Sequence, residues 1–185
     1  MKRHFTTAEL TTIALLAALL CISSYITIAL PVSPVPITAQ TLIINLIALL
    51  LRPKRAVIPV LIWVLLGFAG LPVFTGGRSG FAALAGPTGG YIIGSFAAVI
   101  LISLIAAGKN TFARNLAAVL CVGIPVIYLF GTPWMAAVTG MSLKAAAAAG
   151  ILPFIPGDIA KGIAAVILAR SLYRIVSQNT KKAAA

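Results

Sequence analysis

The sequence predicts an all-α integral membrane protein, a six-transmembrane-helix bundle with N- and C-termini cytoplasmic. Three observations carry that expectation. The 185 residues are 61% hydrophobic and only 9% charged, with a mean hydropathy of +1.13, whereas an ordinary soluble domain holds about 25% charged residues to coat its surface. Residues 10–51, 56–77, 79–108 and 115–143 contain no charge. A helix crosses the hydrocarbon core with about 20 apolar residues, so the first stretch suffices for two passes and each of the others for one, and the C-terminal segment brings the count to six. A β-barrel is excluded by pattern, because barrel strands alternate polar and apolar residues and Ala56 to Phe74 is apolar on every side.

The third observation is where the 14 Lys and Arg residues fall. A net charge of +12 invites comparison with nucleic-acid binders, but these cations sit between the spans. Lys2 and Arg3 precede span 1. Arg52, Lys54 and Arg55 separate spans 2 and 3, Lys109 and Arg114 separate spans 4 and 5, and Arg170, Arg174, Lys181 and Lys182 follow span 6. With both termini cytoplasmic, one side holds all of these and the other only Arg78 and Lys144, the asymmetry of the positive-inside rule. The reading is a multi-pass protein of the cell (inner or plasma) membrane whose surroundings are lipid, with no nucleic-acid partner.

Taken in order, span 1 runs from about Glu9 to Leu30 and stops at Pro31, Pro34 and Pro36, which cannot continue a helix. The loop LPVSPVP is therefore external. The N-terminal Met-Lys-Arg-His run imitates a signal peptide, but removing it would leave five spans and spoil the charge asymmetry. Span 2 covers about 37–51 and span 3 about 56–71, with Pro59 tolerated in its first turn. Phe74 to Ile92 then holds six of the sixteen glycines. Span 4 covers about 90–107 and span 5 about 115–130, kinked at Pro125. Residues 131–150 are expected as an outer connection, partly helical and partly re-entrant, and span 6 covers about 152–173. The whole chain, 1–185, reads as one membrane domain. Cys21 and Cys121 fall inside spans with no paired spacing, and His4 is the one histidine, so both cysteines are read as small packing residues and no metal site is expected.

The chemistry is concentrated in few residues. Glu9 and Asp158 are the two acids of the chain. Glu9 lies at the start of span 1, where a helix N-terminus favours negative charge, and needs only a structural role. Asp158 lies inside span 6 with Lys161 one turn later on the same face. Each such charge costs about 2.5–3.5 kcal/mol at mid-membrane, and charges kept there usually face a cavity and mark a functional site. The external glycine-rich segment can bring backbone close to a ligand, with Arg78 able to fork onto a carboxylate. Gln40, Thr38 and Asn45 add polar groups to the outer half of span 2. Ala14 and Ala18 form a small-xxx-small spacing that permits close helix contact. No GxxxxGK[ST] is present, since Gly108-Lys109 is followed by Asn110, and no paired carboxylates or Ser/His set equips the chain for hydrolysis.

At these residues the chain resembles a known family. VPIT-x-QTL (Val35 to Leu42), RPKR (Arg52 to Arg55), GLPVF-x-GG (Gly70 to Gly77), GPTGGY (Gly86 to Tyr91) and PGD-x-x-K (Pro156 to Lys161) closely resemble BioY, the biotin-binding S component of energy-coupling factor (ECF) transporters. The resemblance implies high-affinity capture of biotin as the transported ligand, with no cofactor, by a subunit that works with a transmembrane T component and two ABC-type ATPase subunits. It also implies that Ala14 and Ala18 dock onto the T component. The implied biotin site is Asp158 and Lys161 on the ureido ring, with Arg78 or the main chain of Gly86, Thr88, Gly89 and Gly90 on the valerate, or the two ends exchanged. Tyr91 is then a wall or donor and Gln40 and Asn45 further polar partners, with Trp63, Phe74 and Phe81 over the apolar rings. An S component for another vitamin, an intramembrane enzyme using Asp158 as base, and a structural subunit are the alternatives. The enzyme is disfavoured because a carboxylate beside a lysine is held ionised.

Overall fold

The computed structural model describes residues 5–108 and 111–182, with side chains through residue 173. Lys2, Arg3, His4 and Lys109 of the charge pattern lie outside the described residues, and for Arg174, Lys181 and Lys182 only the helical backbone is described.

Helix α1 (Thr7–Ser23) opens with a reciprocal capping box. Thr6 Oγ1 accepts from the Glu9 amide at 3.3 Å, and the Glu9 carboxylate accepts from the Thr6 amide at 3.2 Å, which satisfies two otherwise orphaned donors. The same carboxylate pairs with Arg55, so Glu9 has the structural role expected of it. Ile13, Leu16, Ala17 and Leu20 face the protein, while Leu10, Ala14, Leu15, Ala18, Leu19 and Ile22 are exposed.

The first departure from expectation comes at Ser23, where α1 ends well before Leu30. Residues that were expected to be helix instead form strand β1 (Thr27–Ile28), antiparallel to β2 (Ile37–Thr38), with Thr27 opposite Thr38 and Ile28 opposite Ile37. The hydroxyls of Ser23 and Ser24 bond back to the carbonyls of Leu20 (2.7 Å) and Cys21 (2.6 Å), competing with the helical pattern, and the β-branched Thr27 and Ile28 suit a strand. Pro31 and Pro34 occupy the turn of this hairpin, and Pro36 immediately precedes β2.

Helices α2 (Gln40–Leu50) and α3 (Pro53–Phe68) follow, α3 starting with a proline at its N-terminus, where no backbone donor is needed. The glycine-rich segment after α3 is pinned by Trp63, whose ring meets Phe74 edge-on (centroids 5.4 Å apart, 88° between planes) and whose Nε1 donates to the Val73 carbonyl at 2.6 Å. It also contains a short helix, α4 (Gly80–Ala85).

Helix α5 (Gly89–Ala106) lies along α7. Helix α6 (Phe112–Ala117), a π-helical stretch at Ala118–Gly123 and α7 (Ile124–Thr139) form one 28-residue helix. The expected end at Phe130 is therefore wrong. Pro125 comes two residues after the π stretch, a wider turn of the kind that absorbs helix irregularities, and Pro133 lies within a continuing helix. The stop comes at Gly140, whose φ of 72° is the left-handed C-terminal conformation that glycine adopts without strain. Of the connection expected at 131–150, residues 131–139 belong to α7 instead, and the helical part is α8 (Leu143–Gly150), capped by Ser142. It is followed, after a 50° bend, by α9 (Ile155–Lys182).

Among the described residues, Gly89–Ala106 and Phe112–Thr139 are long and apolar enough to cross a membrane, and the bent pair Leu143–Gly150 with Ile155–Tyr173 passes the same test together. Leu20, Ile44, Ile47, Val99, Ile102, Val119 and Val166 form the centre of the core. Cys21 packs against it as expected. Cys121 does not, because it lies on the exposed side of the π stretch.

Candidate functional site

Four elements converge on Asp158, in the first turn of α9. Lys161 Nζ lies 2.6 Å from Asp158 Oδ1, the Thr41 hydroxyl of α2 donates to the same oxygen at 3.3 Å, and the Tyr128 hydroxyl of α7 donates to Oδ2 at 2.5 Å. Lys161 also donates to the Thr38 carbonyl of β2 at 2.9 Å, so the ion pair ties the hairpin to α9. Asp158 is 5% exposed. A buried carboxylate without partners would cost several kcal/mol, and here three donors satisfy it. A carboxylate has about four acceptor positions, so one remains on Oδ2.

This group forms one wall of a cavity of about 60 Å³. Val35, Pro36 and Thr38 line it from the hairpin, Gln40, Thr41 and Ile44 from α2, and Thr88, Tyr91, Ile92 and Ser95 from the start of α5. Ile127 and Tyr128 of α7, Phe154 and Thr75 complete the lining. Gln40 Oε1 accepts from Thr75 Oγ1 at 2.9 Å, while its Nε2 is buried with no partner. A buried donor left unpaired costs about 1–3 kcal/mol, and Gln40 is one of the residues of the cavity wall.

Of the residues singled out from the sequence, the structure brings Asp158, Lys161, Gln40, Thr38, Thr88 and Tyr91 to this cavity. The others lie elsewhere. Arg78 is exposed, and its backbone pairs with Phe74 in a turn outside the lining. Asn45 is 1% exposed within α2, off the cavity. Gly86, Gly89 and Gly90 serve packing: a methyl group on Gly90 would stand 2.5 Å from the Phe130 carbonyl oxygen, one on Gly89 would collide with Leu84, and the Gly86 carbonyl accepts from Trp134 Nε1 at 3.0 Å. Their missing side chains let α5 seat against α7 and α4, and the Gly89 amide donates to the Gly86 carbonyl at 3.1 Å. Trp63 and Phe74 are buried in the core and Phe81 is 71% exposed, so the aromatic walls are Tyr91, Tyr128 and Phe154 instead. Tyr128, Thr41, Ser95 and Phe154 were missed, since hydroxyls and rings are ordinary in apolar helices and no spacing marks these.

The family model described as BioY matches residues 1–178. "Biotin transporter BioY2" of Lactococcus lactis is 36% identical over 176 residues, 94% of each chain. "Probable biotin transporter BioY" of Pyrococcus horikoshii is 38% identical over 164 residues, 89% of this chain and 95% of the relative. Among solved structures, the crystal structure of the S component for biotin from an ECF-type ABC transporter superposes with a TM-score of 0.84 at 32% identity, covering 90% of both chains.

Proposed function

The chain belongs to the BioY family, and from that premise we propose that it captures biotin for uptake as the S component of an ECF-type transporter, with Asp158 and Lys161 at the centre of the site. It is a transporter subunit, as its relatives and structural neighbour are, and not an enzyme. The observation that carries the reading is the cavity wall on which an acceptor and a donor stand 2.6 Å apart. A ureido ring presents an N–H and a C=O side by side, so its N–H bonds the free position of Asp158 and its carbonyl meets Lys161. The valerate carboxylate is left for Gln40 Nε2, the buried unpartnered amide of this wall, and the apolar rings lie against Tyr91, Tyr128 and Phe154.

Around this site, α1, α2, α3, α5, the helix Phe112–Thr139 and the bent α8–α9 pair make six passes of a cell membrane with both termini cytoplasmic. The clustering of Arg52, Lys54, Arg55 and Arg114 at the starts of α3 and of the helix Phe112–Thr139, at one end of those passes, supports that orientation. The exposed Ala14 and Ala18 suit close approach by a helix of the T component, and two ABC-type ATPase subunits supply the hydrolysis for which this sequence has no phosphate-binding loop. The test is equilibrium binding of radiolabelled biotin to the purified chain, with thiamine, riboflavin and desthiobiotin as competitors. Displacement by desthiobiotin alone is expected. Displacement by thiamine or riboflavin, or no biotin retention at all, would refute the reading.

A further inference from the structure

Tyr91, a cavity residue, packs against two glycines. Its ring stands where a side chain on Gly131 would be: a Cβ there would lie 2.5 Å from ring carbon Cε1 and closer still to Cδ1. Its hydroxyl occupies the equivalent place at Gly150, where a Cβ would overlap the oxygen, and donates to the Gly150 carbonyl at 3.3 Å. One glycine belongs to α7 and the other ends α8, so the ring is slotted between two helices while its opposite side borders the cavity. The hydroxyl's single proton is therefore given to the protein. Tyr91 serves the ligand as a ring surface, and its position is set by two residues that do not line the cavity.

We propose that Gly131 and Gly150 are positioning residues that set the width of the ligand cavity by admitting the Tyr91 ring into the slot behind it. The inference rests on the biotin reading above. A methyl group at either position drives the ring toward the cavity, because the packed helices leave it no other exit. The two glycines act on different atoms, however. Gly131 faces ring carbons, whereas Gly150 faces the hydroxyl oxygen and, at 2.8 Å, the terminal Cε of Met135, which a flexible side chain can withdraw.

This difference makes the proposal testable by a double-mutant cycle on the purified full-length chain, with radiolabelled biotin as the probe. Gly131→Ala and Gly150→Ala should each weaken binding about tenfold or more, as overpacking of that size does. Tyr91→Phe, which deletes the oxygen and its bond, should weaken binding about threefold. The double variant Gly150→Ala with Tyr91→Phe should bind as Tyr91→Phe does alone, while Gly131→Ala with Tyr91→Phe should stay as weak as Gly131→Ala. Additive losses at Gly150, equal rescue of both glycine variants, or wild-type affinity in either alanine variant would overturn the slot while leaving the biotin reading intact. A wild-type chain that retains no biotin overturns that reading and the inference with it. If Gly150→Ala fails to fold, recovery of a folded, biotin-binding chain by adding Tyr91→Phe supports the proposal and continued misfolding defeats it.

Discussion

The two acids of this chain both form ion pairs, and what surrounds each pair differs. Glu9 divides its carboxylate between the Thr6 amide and Arg55, clasping the start of α1 to the start of α3, and it is not among the residues lining the cavity. Asp158 is held by Lys161, Thr41 and Tyr128 from three helices, with a cavity beside it and an unpartnered amide on the same wall. The lesson is that an ion pair in apolar surroundings identifies a site only through what it leaves unsatisfied. At Glu9 the partners close the arrangement. At Asp158 they leave room, an acceptor position and a buried donor.

Substitutions at the two pairs should therefore separate cleanly. The largest effect is expected at Asp158→Asn and Lys161→Ala, each weakening biotin binding by about 100-fold or more, since truncating one member of a buried hydrogen-bonded charge pair typically costs about 2–5 kcal/mol. Wild-type affinity in both, measured by equilibrium binding, would remove these residues from the site. Next comes Gly67→Ala, whose methyl group would lie 2.5 Å from Phe74 Cε1. Overpacking there should cost about 1–3 kcal/mol, read as a lowered midpoint of thermal unfolding in detergent. Glu9→Ala loses both the capping bond and the ion pair and should cost about 1–2 kcal/mol, with biotin affinity unmoved. Glu9→Gln keeps the capping box and should recover part of that loss, and a fall in affinity in either variant would break the contrast between the two pairs. The smallest effect is expected at Arg78→Ala, within about twofold of wild type by the same binding assay; a large loss would show that the glycine-rich segment closes over the ligand.

Much of the fold was legible because the bilayer imposes it. Uninterrupted apolar runs between cationic stretches located α2, α3 and α5 to within a few residues, and the start of α9 though not its end at Lys182, and no packing detail was needed. The sequence misled where local competition decided the backbone. Ser23 and Ser24 turn their hydroxyls onto the preceding carbonyls and end α1 early, and the π stretch at Ala118–Gly123 precedes Pro125 in a helix that runs to Gly140. At the site, Asp158, Lys161 and Gln40 announced themselves because a charge or amide in an apolar run is costly. The glycines of GPTGGY misled for the converse reason, because a glycine that admits a ligand and one that admits a neighbouring helix are the same residue in a sequence.

What the sequence determined by itself was the solvent and the chemistry. Apolar runs too long and too uncharged for water require a membrane, and a carboxylate kept with a lysine inside such a run requires polar company. Only the tertiary structure decided who that company is. Tyr128 meets Asp158 from 30 residues away and Thr41 from 117, Lys161 reaches across to the hairpin, and Tyr91 finds its slot between Gly131 and Gly150. Such pairings follow from which helix faces which, and helix adjacency is set by the fit of side chains and missing side chains across the whole bundle, a property of no single stretch of chain.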